Sequence, residues 1–271
     1  MNLIQICYKN ILHKSNYFLI ALIIAMMCGL LLFSSITYAT KYAPPFFPGE
    51  RLTYEIRWGI IPVGVGVLSV HPLREVNGRD AYHFELKVTS YPFFDPFYKV
   101  RDKISSYVAT DLTRSYYYRK NQREGRTHRD IVVEFDWDTN QAGYSNFGKQ
   151  KPPVTILPGT LDPLSTLYFA RLQDLGEIEE IRVPVTDGKK CIIGKAVIVK
   201  REKITIDGEV FDTYLLEPDI EEIGGVFEKA KNAKIRVWLT ADQRRIPVKV
   251  ESKVAVGAFT AELISMAWEK K

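Results

Sequence analysis

Cysteine is scarce in this chain, with three in 271 residues: Cys7, Cys28 and Cys191. The first two lie before or within an apolar N-terminal run, so removal of that run would leave one thiol and exclude an internal disulfide. Cys191 opens the apolar stretch Cys191-Ile192-Ile193, where a free cysteine behaves as a small core residue. Histidine is scarce as well. Beyond the N-terminal run only His71, His83 and His128 remain. None forms the i,i+2 or i,i+4 pair that sets two ligands on one face, so neither a metal nor a cofactor is expected. His83 faces away from Tyr82 and Phe84 and reads as a solvent-side residue.

Signatures of catalysis are missing too. There is no G-x-S-x-G elbow and no P-loop. Gly64-Val65-Gly66 lacks the third glycine and the following helix of a dinucleotide fingerprint, so it reads as close packing within a sheet. Asp136 and Asp138 flank Trp137 at a strand end and read as solvated surface. No catalytic residue is expected, and the chain reads as a non-enzyme. Repeats of fixed period and low-complexity stretches are absent. The formal net charge is +5, of which Lys9 and Lys14 precede the apolar run unopposed, leaving roughly +3 for the rest. That excess is too small for a nucleic-acid binder.

What the chain does have is a long apolar run over residues 18–36, preceded by Lys9, His13 and Lys14. That charge order belongs to a secretory signal or to a single span with its N-terminus inside. Thr37-Tyr38-Ala39 resembles a small-x-small cleavage site. Cys28 follows Met26-Met27 and so lacks the small residue that a lipoprotein signal needs. The expected organisation is a signal peptide or membrane anchor over 1–39 and a β-rich exported domain over 40–271, with an internal division near 150–176 as an alternative. The expected address is the periplasm or cell envelope, with inner-membrane contact if the segment is retained.

After Pro44 the pattern changes to period two. Leu52, Tyr54, Ile56 and Trp58 share one strand face while Arg51, Thr53, Glu55 and Arg57 share the other. Asn77-Gly78 and Asp207-Gly208 are strong hairpin turns. Further strands are expected over 63–70, 81–90, 100–108, 114–120, 128–136, 178–185, 191–206, 210–217, 233–240, 246–256 and 259–268, with a loop over 218–229. One helix is expected over 162–175, started by Asp162 as N-cap with Pro163 behind it and stopped by Gly176. The fold class is mostly β: an antiparallel curled sheet or barrel-like meander with one short helix, behind an N-terminal hydrophobic helix.

Three motifs occur in order: Gly49-Glu50, Leu52 and Tyr54 with the Gly59 to Gly64 turn; Asp162-Pro163-Leu164-Ser165; and Trp238-Leu239-Thr240 with Asp242, Arg245, Pro247 and Val248. Together they resemble the DUF3108 family of exported bacterial proteins across residues 47–265. The resemblance implies an exported, nearly all-β, curled or barrel-like fold. It supplies no catalytic residue.

Two features are candidates for binding. The hairpin over 114–129 gathers Arg114, Arg119, Lys120, Arg123, Arg126 and Arg129 around Tyr116, Tyr117 and Tyr118. Arginine forks suit phosphate and carboxylate oxygens, and tyrosine offers a flat amphipathic surface. The aromatic faces, Tyr54, Trp58, Phe84 and Trp238 among them, would line a cavity if a curled sheet stays partly open. The aromatic loop over 91–98 must be buried, bind something or rest on a membrane interface. The expected ligand-binding residues are therefore Tyr54, Trp58, Phe84, Tyr116, Tyr118, Arg119, Arg123, Arg126 and Trp238. The leading expectation is binding of a lipid, lipid-linked glycan or other amphiphile. One alternative is an assembly factor whose basic hairpin contacts an envelope protein or acidic glycan, and an envelope hydrolase is the remaining one.

Overall fold

The computed structural model describes residues 44–219, 234–254 and 257–268. The N-terminal run, the expected cleavage after Ala39, and most of the loop expected over 218–229 lie outside the described residues. Pro44–Lys271 forms one compact unit. The whole described sheet, the helix and both core clusters lie within it, so it has its own core and can fold as a unit.

The strands are β1 (Glu50–Trp58), β2 (Ile61–Val76), β3 (Arg79–Ser90), β4 (Arg101–Ala109), β5 (Ser115–Glu124), β6 (Thr127–Asp136), β7 (Gln141–Asn146), β8 (Lys149–Gln150) and β9 (Val154–Thr155). Helix α1 (Pro163–Leu172) follows, and then β10 (Glu180–Thr186), β11 (Cys191–Ile206), β12 (Glu209–Pro218), β13 (Lys234–Thr240), β14 (Pro247–Val254) and β15 (Gly257–Trp268). All fifteen belong to one antiparallel sheet, with β15 returning to pair with β1 so that the first and last strands sit mid-sheet. The sheet is curled but not closed strand to strand. Residues 154–161 span the gap: β9 pairs with β7 at one edge, and Leu161 bridges in parallel to Val185 of β10 at the other.

Local chemistry accounts for the hairpins. Asn77-Gly78 and Asp207-Gly208 take φ of 51° and 74°, and of 48° and 83°, the left-handed pair a type I′ turn requires. Gly64 has a different reason to be glycine: a Cβ there would lie 2.5 Å from the Thr89 carbonyl oxygen across the β2–β3 pair. The two glycines lie on the concave face, since Gly66 pairs with Tyr54 on one side and Val88 on the other.

Helix α1 packs into the concave face against β3, β4 and β10. Its Tyr168 ring stacks on Phe84 at 3.5 Å between centroids, and Phe46 meets both rings edge-on. The helix ends at Leu172, short of the expected Gly176. Gln173 turns to extended backbone, and this exit lets Leu175 drop into the second core cluster beside Ile181, Leu216 and Leu239.

Candidate functional site

The concave face is divided along the strands. Toward the end that carries the 77–78 and 207–208 turns it is filled by α1, Phe46 and the main core. Four expected ligand residues belong to this filled part or its surroundings. Tyr54 is buried, with its hydroxyl donating to the Pro247 carbonyl at 2.7 Å. Burial raises its pKa well above the usual tyrosine range. Phe84 is sealed under Tyr168, and Tyr118 is buried in the same core. Trp238 is buried and its indole donates to Glu202 Oε1 at 3.1 Å. Tyr116 lies at this same end, lining a groove of about 450 Å³ with Arg79, Asp80, Asp111 and Arg114.

The opposite end is different. A meander places alternate turns on one rim, so the β1–β2 turn, the 91–99 loop, the β5–β6 turn and the β7–β8 turn lie together. Direct contacts join them: Tyr91 N–H donates to the Val63 carbonyl, Gly125 N–H donates to the Lys99 carbonyl, and Trp58 meets Phe94 and Phe259. Just inside this rim the concave face continues as half-buried apolar side chains, Ile56, Leu86, Val88, Ile104, Phe259 and Ala261. By register they share one face and make an apolar strip next to the mouth, here called the trough, and Trp58 stands exposed at its outer end.

At the same rim lies a cavity of about 420 Å³ lined by Lys99, Arg101, Asn121, Gln122, Arg123, Gly125, His128, Arg129 and Phe147, of which Arg101, Asn121, Arg123 and His128 stand on the outer face by strand register. Arg101 is already engaged, donating to both Asp95 oxygens at 3.1 and 2.6 Å. Among the described residues no carboxylate forms an ion pair with Lys99, Arg123, Arg126 or Arg129. Gln122 is buried, and its Oε1 has no hydrogen-bond partner. Arg119, by contrast, is held in a two-point pair with Asp130 at 2.9 and 2.8 Å. The fold thus brings Trp58, Arg123 and Arg126 to one rim and places the other expected residues elsewhere.

One acid pair sits at this rim. Burial, then a hydrogen bond with Glu124, raises the Asp102 pKa to about 7, against the lesser pull of the Arg123 amide and Lys120. An acid with a raised folded-state pKa holds its proton in the fold below that value, so stability falls as pH rises from the unfolded range toward about 7. Replacing Asp102 by Asn is expected to flatten the dependence of melting temperature on pH between about 4 and 7. An unchanged slope in the variant would show that this pair does not govern it.

Across β2 and β3, donor atoms of His71, His83 and Glu85 lie within 4.8 Å of one another. The expected solvent-side His83 is in fact half-buried, stacked between His71 at 4.5 Å and Tyr107 at 4.4 Å. Burial and the neighbouring His71 lower its pKa to about 4. Burial opposes ionisation of Glu85, but Lys87 and Lys103 override it and hold the carboxyl at about 2. Both Glu85 oxygens are taken by ammonium groups, and the two imidazoles lie face to face. The set reads as a charge and stacking network across the strands.

The sheet is similar to a solved structure, a β-barrel-like protein of domain of unknown function DUF1849 from Brucella abortus. The two share 9% identity with a TM-score of 0.52, over 82% of this chain and 98% of that one, a likeness of fold alone. The lipoprotein LppX of Mycobacterium tuberculosis also aligns, at 10% identity over 83% and 89% of the two chains, but its TM-score of 0.25 carries no argument. No curated protein matches the chain. The family model described as protein of unknown function (DUF3108) matches residues 53–264, and the chain therefore belongs to that family.

Proposed function

We propose that this is an exported, non-enzymatic envelope protein that binds an anionic amphiphile, a lipid or lipid-linked glycan, at the mouth of its curled sheet. The observation that carries the reading is that one rim holds both the half-buried apolar trough and Lys99, Arg123 and Arg129, cations with no carboxylate in ion-pair distance among the described residues. An acyl chain laid along Ile56, Val88 and Ile104 would leave water while its headgroup met cations that have no carboxylate partner. Because α1 fills the other half of the concave face, the ligand belongs at the mouth and not deep inside.

In the competing reading, an assembly factor acting through the basic hairpin 114–129, the two-point pair with Asp130 takes Arg119 out of the set of cations open to a partner and so weakens that surface.

Native mass spectrometry of protein purified from membranes tests the proposal. Bound lipid is expected in the wild type. It should be lost in Val88→Trp, which fills the trough, and reduced in Lys99→Glu/Arg123→Glu, whose exposed positions leave the core alone. Repeated recovery of an empty wild-type protein would sink the reading.

A further inference from the structure

The rim has a feature that a bound ligand does not explain. Several of its exposed side chains are large and apolar: Ile60 is 89% exposed, Phe97 81%, Phe147 61% and Phe93 58%. Scattered single hydrophobics are ordinary on a protein surface, but a set gathered at one end is not. These four stand on the β1–β2 turn, the 91–99 loop and the β7–β8 turn, three tips of the same rim, with the β5–β6 turn between the last two. The tips are mechanically joined. Phe97 packs on Phe94, which meets Trp58 at the base of the first turn. The Tyr98 ring lies so close to Gly125 that a Cβ there would come within 2.8 Å of it.

At the other end the turns Asn77-Gly78, Asp207-Gly208 and Asp242 to Arg245 are made of polar turn formers, and the exposed apolar residues there, Phe47, Leu73, Val210 and Trp268, stand on strands or before β1 and not on turn tips. The three most exposed large apolar side chains, Ile60, Phe97 and Phe147, all stand on the mouth rim.

Charge identifies what the apolar end meets. Around the aromatic tips stand Lys99, Arg123, Arg126, Arg129 and Lys149, none with a carboxylate in ion-pair distance among the described residues. A protein interface would bury these cations at a cost unless each met an acid. A lipid interface places them among headgroup phosphates while the aromatic and aliphatic tips enter the acyl boundary. We infer that this rim docks onto the surface of an anionic bilayer, with Ile60, Phe93, Phe97 and Phe147 inserted and the surrounding lysines and arginines at the phosphates. Docking this way turns the trough mouth toward the lipid. It does not depend on a ligand being held there, and it stands if the amphiphile reading falls.

The test uses the Pro44–Lys271 unit, which lacks the N-terminal apolar run, with vesicles of phosphatidylcholine alone or mixed with phosphatidylglycerol. Co-sedimentation is expected with the mixed vesicles and weak with phosphatidylcholine alone, and it should fall as salt is raised. Ile60→Ser/Phe97→Ser should weaken binding by at least about tenfold. Lys99→Glu/Arg126→Glu should weaken it by at least about tenfold on the anionic vesicles only, on the order of fivefold or more per charge.

All four positions are exposed, and far-ultraviolet circular dichroism checks that the sheet is intact. Val88→Trp should keep vesicle binding while losing bound lipid, which separates docking from ligand binding. Absence of binding to the anionic vesicles, or binding that neither double variant weakens, would overturn the inference.

Discussion

Replacing Arg171 by alanine is expected to cost about 3–5 kcal/mol of stability, the range for removing one partner of a buried ion pair. For a domain of this size that lowers the melting temperature by roughly 10 °C. Arg171 is fully buried in the last turn of α1, and its guanidinium donates to Glu50 Oε1 at 2.6 Å and Oε2 at 3.0 Å. It also donates to the carbonyls of Pro45 at 3.0 Å and Arg244 at 3.2 Å. Its flat face lies over Phe46 and Tyr168. One side chain thus ties the helix to the first residue of β1, to the chain leading into it and to the β13–β14 turn.

Alanine would leave the Glu50 carboxylate buried without a counter-charge and two carbonyls without a donor. The double variant Glu50→Leu/Arg171→Leu removes the stranded charge and should recover part of the loss, though not the carbonyl bonds. Urea denaturation of all three proteins checks the cycle. A single-variant loss under about 1 kcal/mol would show that the pair is not what seats the helix.

The same pair shows where reading the sequence succeeds and where it stops. Gly49-Glu50 is visible as a motif, and Arg171 is visible at helical spacing, but nothing local says that a strand's first carboxylate and a helix's last-turn cation meet across the core. Period two revealed β1 and β3 because their buried residues alternate with polar ones. Strand β7 escaped because its inward residues Ala142 and Tyr144 alternate with Gly143 and Ser145, a weak contrast. β8 and β9, with two residues each, carry no period at all.

The sequence places the helix over 162–175 because Gly176 is the stop signal that follows Leu172. The chain instead uses Leu175 in a second core cluster. Individual rim residues were legible, Trp58, Arg123 and the 91–98 loop among them. Their convergence is a product of strand register and meander order, which set which turns share an end. Tyr54, Phe84, Tyr118 and Trp238 looked similar to Trp58 in sequence, and only depth along the strand separates them.

Asp162 marks the other long-range tie, and its replacement by alanine is expected to cost about 3–4 kcal/mol, well beyond the roughly 1 kcal/mol of an ordinary N-cap. Its Oδ1 does the capping, accepting from the Leu164 and Ser165 amides at 2.9 and 3.0 Å. Its Oδ2 is the point on which three hydroxyls converge, those of Ser106, Ser115 and Ser165, each at 2.6 Å. Ser115 Oγ in turn accepts from the Asp162 amide at 2.8 Å. All four side chains are buried. Ser106 on β4 and Ser115 at the start of β5 are thereby fastened to the first turn of α1.

Alanine removes the cap and strands hydroxyls that water does not reach. Asparagine should be milder, at about 1–3 kcal/mol, because hydroxyls can rotate to accept from its amide nitrogen, although the charge assistance is lost. Ser106→Ala should cost less than either, since the carboxylate keeps its remaining donors. Chemical denaturation orders the three variants, and an Asp162→Ala loss no larger than that of Ser106→Ala would show that the carboxylate caps the helix without anchoring it to the sheet.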